Sequence, residues 1–144
     1  MDLAQEDKDL IQAATDIIVD KYKYGKHHVG AALRTRSGKI VTAVNVDTYV
    51  GRAGVCAEAI ALGKMISEGE IEFSSIVAIF KPNPEFGGQE PYVASPCGVC
   101  REMLNDYCPN AAVIYLENDK IKRARVNELL PGKFTKRHMP RQEK

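Results

Sequence analysis

The 144-residue chain predicts an α/β fold, a three-layer α/β/α sandwich on a mixed five-stranded sheet. Segments with apolar residues at helical spacing alternate with short apolar runs of strand length. The resulting order is helix, strand, strand, helix, strand, helix, strand, strand, and helices interleaved with buried strands cover both faces of a sheet. Composition agrees: apolar residues are 44% and charged residues 27% of the chain, close to the average for globular domains. There is no repeat, low-complexity stretch or linker, so residues 1–144 are expected to form a single domain.

The elements follow in order. Leu10, Ile11, Ala14, Ile17, Ile18 and Tyr22 recur at helical spacing and predict an amphipathic helix over about 5–22. The apolar runs Val29 to Leu33 and Ile40 to Val46 predict two strands, with Ser37-Gly38 as the hairpin turn. Ala59, Ile60, Leu62, Gly63 and Ile66 predict a nearly apolar helix from Cys56 to Glu68, stopped at Gly69. Ile76 to Phe80 reads as a buried strand. Lys81–Ser95, rich in Pro, Asn, Gly and Glu, reads as a long connection, and loops of that length are usually functional or mobile. A third helix opens at Pro96 or Cys97 and runs to about Tyr107, with Pro109 just past its end. Ala112 to Leu116 and Ile121 to Arg125 flank the turn Asn118-Asp119. The basic tail over 136–144 is expected to be a frayed, solvated terminus.

Charge and hydropathy exclude several roles. Lys plus Arg number 20 and Asp plus Glu 19, so no overall field attracts nucleic acid or a membrane surface. No apolar run approaches the roughly 18 residues of a spanning helix. The acidic, polar start Met1-Asp2-Leu3-Ala4-Gln5-Glu6-Asp7 lacks the pattern of a secretory signal. A soluble cytoplasmic protein is expected, and in a reducing compartment the four cysteines point to metal binding or catalysis rather than disulfides.

Two segments carry chemistry: Val55-Cys56-Ala57-Glu58 and Ser95-Pro96-Cys97-Gly98-Val99-Cys100-Arg101, each at a helix start. Cys97 and Cys100 are three apart and share one helical face, so both sulfurs can reach one ion. Cys56 adds a third thiolate from a second helix. A catalytic zinc site has three protein ligands and leaves the fourth position to water. Helix N-termini help thiols ionise. Cys108 lies two turns beyond Cys100 and about 80° further round, a poor ligand for the same ion and a good small buried apolar residue. Glu58 does not share the ligand face but can hang beside the open position and move protons between water and substrate. A Cys or His, one residue, a non-ligand Glu and a later Pro-Cys-x-x-Cys is the arrangement of zinc deaminases. The order and the placement at two helix starts make the combination specific, although neither half is so alone.

On these motifs the chain resembles the cytidine deaminase family and, closely, its blasticidin-S deaminase branch. The resemblance spans roughly Tyr22 to Phe134: Val29-Gly30-Ala31-Ala32-Leu33, Asn45-Val46-Asp47, Cys56-Ala57-Glu58, the Ser95–Arg101 motif, and Glu128-Leu129-Leu130-Pro131 with Phe134. It implies zinc-dependent hydrolytic deamination of a cytosine nucleoside, as in pyrimidine salvage, by a homotetramer whose active sites are shared between subunits. It also implies zinc on Cys56, Cys97 and Cys100, proton transfer by Glu58, and substrate contacts from Asn45, Asp47, Ala57, His27 and Phe134. Three departures stand out. His27 replaces an aromatic residue, Asp47 is shorter than the family's Glu, and Ala59 stands where an Arg commonly follows Cys-Ala-Glu. Zinc with three thiolates carries net negative charge, which makes bound water less acidic unless offset. Arg101 or Arg52 is the available cation.

Blander readings compete. Cys97 and Cys100 would serve a structural zinc or a redox dithiol, but no fourth ligand is evident. His27 and His28 would be strand-edge or pocket-wall residues, Asn45 and Asp47 turn caps, and Phe134 core. A polynucleotide deaminase would need a basic groove and stacking aromatics; a zinc-binding protein without turnover would have no use for Glu58.

Overall fold

The computed structural model describes residues 3–87 and 89–136; the expected basic tail lies outside the described residues from 137 onward. The first helix, α1, spans Gln5–Lys21. At its start the Asp7 carboxylate accepts from the Ala4 N–H at 3.3 Å and pairs with Arg123 at 3.4 Å, which accounts for a buried acid. Leu10, Ala14 and Ile18 form the buried stripe.

The strands β1 (Val29–Thr35) and β2 (Ile40–Val44) make the expected hairpin, with Gly38 at φ +95° in its turn. The second strand is shorter than expected: Val46 pairs instead with Val55 in an isolated bridge that starts the approach to the next helix. Helix α1 sits so close to β1 that a Cβ on Gly30 would lie 2.4 Å from the Ala14 carbonyl oxygen, so only glycine fits there.

Helix α2 covers Ala57–Ser67 with Cys56 as N-cap, and β3 covers Phe73–Phe80. The stretch expected to be a loop contains a further strand, β4 (Tyr92–Ala94), so the sheet has six strands rather than five. Three residues with one fully buried side chain, Val93, are too short to show an alternating pattern. The rest of that stretch includes a 3-10 turn, Pro84–Phe86, whose N-cap Asn83 accepts from the Glu85 N–H. Helix α3 (Gly98–Tyr107) has Cys97 as N-cap. Strands β5 (Ala112–Glu117) and β6 (Lys120–Arg125) close the sheet. Their turn holds Asn118 and Asp119 at φ 52° and 61°, the paired left-handed geometry of a two-residue hairpin loop.

The main path of the sheet is β2-β1-β3-β5-β6, with β4 also on β3. Strand β3 is antiparallel to β1, parallel to β5 near its start and antiparallel to β4 near its end. Its outer edge therefore forks: Val77 pairs with Ile114 of β5, and the next residue, Ala78, pairs with Ala94 of β4. Alternation along the strands sends Ala32, Val77, Ile79 and Ile114 to the α1 face and Leu33, Ile76 and Val113 to the face carrying α2 and α3. That gives the three-layer sandwich expected from the sequence.

Candidate metal centre

Both N-termini on the second face converge near the fork. Cys56 caps α2 and Cys97 caps α3, while Cys100 lies in the first turn of α3 and is buried. The three sulfurs lie within 4.8 Å of one another, with Cys56 Sγ and Cys97 Sγ 3.6 Å apart. Two thiolates on a tetrahedral zinc at about 2.3 Å stand roughly 3.8 Å from each other, so the spacing suits a shared ion. It is far from the roughly 2.05 Å of a disulfide, and all three cysteines are free. Among the described residues no fourth His, Cys, Asp or Glu joins the group. That is the donor set of an open site rather than a closed structural one.

The electrostatics also call for a cation. Burial pushes the Cys56 thiol up, reinforced by its hydrogen bond with Cys97. Cys100 is pushed up strongly by burial and by the negative charges of Glu58, Cys56 and Cys97. At Cys97 burial acts in the same sense, but it is outweighed, chiefly by the Cys100 N–H on the sulfur at 3.5 Å, and the thiol sits below its ordinary value. Three clustered thiols that resist ionising together are relieved by a divalent ion, whose charge reverses the local balance.

Glu58, in the first turn of α2, is 6% exposed and lines a cavity of about 370 Å³ beside the cysteines. Burial holds its carboxyl above the usual carboxylate range. Asn45 and Asp47 line the same cavity, and fully buried Ala57 lines it at the helix start. Asn45 Oδ1 accepts from the N–H groups of His28 and Val29 at 2.7 and 2.9 Å. Both neighbours are donors, which assigns the oxygen and leaves the amide NH₂ as the group offered to the cavity. Asp47 Oδ2 is 3.8 Å from His28 Nε2.

The remaining expected contacts lie elsewhere. His27 does not line the cavity; its Nδ1 lies 2.7 Å from the Asn45 carbonyl oxygen, which requires the proton on Nδ1 and makes His27 a support behind Asn45. Phe134 does not line it either and is 78% exposed. Cys108 stands apart from the trio, where its sulfur accepts from the Phe73 N–H at 3.4 Å, beside a separate cleft of about 480 Å³ that shares no residue with the first. Neither cation considered for charge compensation hydrogen-bonds a thiol among the described residues. Arg52 is exposed in the turn Gly51–Ala53, and the Arg101 guanidinium binds the carbonyls of Pro96 and Leu129.

Sequence reasoning missed the cavity floor. Ala78 and Ala94, cross-strand partners at the fork, line it together with Val29 and Ser95. Alanine on a strand face otherwise carrying Ile76 and Phe80 was the available signal: two methyl groups leave space under the α2 N-terminus.

The chain matches the family model for the cytidine and deoxycytidylate deaminase zinc-binding region over residues 4–116. It is 42% identical over 134 residues to a blasticidin-S deaminase of Bacillus cereus, covering 93% of this chain and 96% of that protein. To a cytidine deaminase of Halalkalibacterium halodurans it is 33% identical over 137 residues, covering 92% and 93%. Among solved structures, the cytidine deaminase from Burkholderia pseudomallei superposes with a TM-score of 0.71 at 26% identity, over 92% of this chain and 100% of that one. The cytidine deaminase from Bacillus anthracis gives a TM-score of 0.74 at 24% identity, over 87% and 86%, a likeness of fold.

Proposed function

The chain belongs to the cytidine and deoxycytidylate deaminase family, as a zinc-dependent hydrolytic deaminase, and from this we propose that it converts a monomeric cytosine nucleoside to the uracil product and ammonia. The observation that carries the reading is a buried carboxylate, Glu58, facing a nucleoside-sized cavity beside three convergent thiols.

Cys56, Cys97 and Cys100 would hold the zinc. Bound there, zinc supplies Lewis-acid activation of water near neutral pH. Glu58 Oε takes a proton from the attacking water as it adds to the amine-bearing ring carbon, and gives it to the adjacent ring nitrogen. Once again a carboxylate, Glu58 takes the remaining proton from the hydroxyl added to that carbon and delivers it to the leaving amine as the C–N bond breaks and the carbonyl forms, so one water is consumed and one ammonia released. Burial, which favours the protonated carboxyl, suits Glu58 to hold that proton between transfers. Ala57 contacts the base at the α2 N-terminus, and the Asn45 amide and Asp47 carboxylate reach the sugar, with His27 bracing Asn45 from behind.

Phe134 fits a shared site. It is exposed and outside its own chain's cavity, so in the homotetramer that the family resemblance implies it would meet substrate in a neighbouring copy. A cytoplasmic salvage role accords with this chemistry; no helix among the described residues is long and apolar enough to cross a membrane.

A second reading keeps the chemistry and changes the substrate to a nucleoside antibiotic of the blasticidin S kind. The 42% identity to the Bacillus cereus protein favours it, and so does Ala59 in place of an arginine. A deamination panel of cytidine, deoxycytidine, free cytosine, base-modified cytidines and blasticidin S separates the two. Turnover of cytidine well above free cytosine supports the nucleoside reading, turnover of blasticidin S alone supports the second, and free cytosine processed as fast as cytidine contradicts both.

A further inference from the structure

Between the last residue of β4, Ala94, and the first of α3, Gly98, lie three residues outside any strand ladder or helix. They carry Cys97 and pass the fork in the sheet, where ordinary strand pairing does not hold the chain. Side chains hold it instead. Ser95 Oγ donates to the Leu116 carbonyl at 2.7 Å and accepts from the Leu116 N–H at 3.0 Å, tying the segment to β5. The Arg101 guanidinium donates from Nε to the Pro96 carbonyl at 2.9 Å and from Nη1 to the Leu129 carbonyl at 3.2 Å. The Arg101 backbone N–H closes the turn on the Cys97 carbonyl at 2.9 Å. Ser95, Pro96 and Cys97 are thus each fixed by a bond from outside the segment, and the C-terminal 3-10 turn Val126–Leu129 is tied to the same guanidinium.

We propose that Arg101, seconded by Ser95, is a positioning residue for the metal: a two-carbonyl clamp that holds the Cys97 arm in ligating geometry before the ion arrives. The inference rests on the reading of Cys56, Cys97 and Cys100 as the ligands. It reassigns the cation that the sequence offered for offsetting thiolate charge. Both guanidinium bonds run to backbone carbonyls, so the contribution is geometric, and it depends on the planar fork that lysine lacks. Partners of this kind behind the ligands are commonly worth about 10–100-fold in metal affinity or activity.

The test measures zinc affinity of the full chain by competition with a chromophoric chelator, and the visible spectrum of the cobalt(II) form, for the wild type, Arg101→Lys, Arg101→Ala, Ser95→Ala and, as a control, Cys108→Ser. Circular dichroism of the metal-free proteins reports folding. Both Arg101 variants are expected to bind zinc about 10–100-fold more weakly and to show altered cobalt ligand-field bands, with Ser95→Ala shifted in the same direction and Cys108→Ser unchanged. If Arg101→Ala does not fold, Arg101→Lys and Ser95→Ala decide. Wild-type affinity and an unaltered cobalt spectrum in Arg101→Lys would show that charge suffices and overturn the clamp. Unchanged binding in Arg101→Ala would overturn any role for the residue. A folded wild-type chain that takes up neither metal would overturn the ligand reading and the clamp with it.

Discussion

Glu58 is the residue on which the proposed turnover rests. It is buried on a helix whose first turn faces a cavity, has no ion-pair partner among the described residues, and is raised in proton affinity by its surroundings. Nothing structural requires a carboxylate there. Glu58→Gln keeps shape and removes the proton acceptor, so the variant is expected to fold, to bind one zinc per chain and to lose at least about 10²–10⁴-fold in turnover, the usual worth of general acid–base catalysis. Metal analysis with a cytidine absorbance assay checks it, and near-normal turnover would move the proton shuttle to another group. The thiols give a pH prediction. Burial and neighbouring negative charge raise Cys100, and burial raises Cys56, so in the metal-free protein these thiols keep their protons at neutral pH. Zinc must displace them, so uptake releases protons and affinity falls as pH is lowered. Zinc titrations at several pH values in weak buffer read both effects; affinity independent of pH would show that the thiols are not the ligands. These residues were legible in the sequence because each motif is local. A two- or three-residue spacing and a helix start are enough to set which way a side chain points.

At the scale of elements, legibility fell where geometry depends on pairing between distant segments. Helices α1, α2 and α3 were readable from periodicity and their stop signals, and both hairpins from their turn residues. Strand β4 was not, because three residues carry no period, and neither was the fork it creates. The fork makes the cavity. There Ala78 and Ala94 face each other across β3 and β4, and their small side chains leave room beneath the α2 N-terminus. Ala78→Val adds two methyl groups to that floor without altering a thiol. It is expected to retain zinc and fold while losing about 10–200-fold in kcat/KM, the scale on which such apolar volume changes discriminate substrates. Steady-state kinetics beside metal analysis tests this, and unchanged kcat/KM would place the base elsewhere. Asn45 shows the same division between local and distant. Its identity was plain from the chain, but its role as an oriented donor depends on the amides of His28 and Val29, and those meet it only through the β1–β2 hairpin.

In the proposed assembly the molecule as a whole would present one side of a larger site. Phe134 stands 78% exposed, and Tyr49, Val50 and Val99 are also exposed apolar residues. If assembly carries Phe134 into a neighbour's cavity, Phe134→Ala should raise KM for cytidine several-fold while leaving zinc content unchanged. Sedimentation velocity and kinetics together read this, and an unaltered KM would return Phe134 to the ordinary surface. The sequence could name Phe134 only by resemblance, since nothing within one chain shows where an exposed ring ends up in an assembly.

We propose that three thiols and Glu58 make a single zinc-dependent hydrolytic centre. Returning zinc stepwise to chelator-stripped protein, while following deamination of cytidine, or of the substrate that the panel identifies, tests it most directly. Activity should be absent at the start, rise in proportion to zinc added and level off at one equivalent per chain. Full turnover by the stripped protein, or zinc bound at one equivalent without any turnover on any member of the panel, would contradict it.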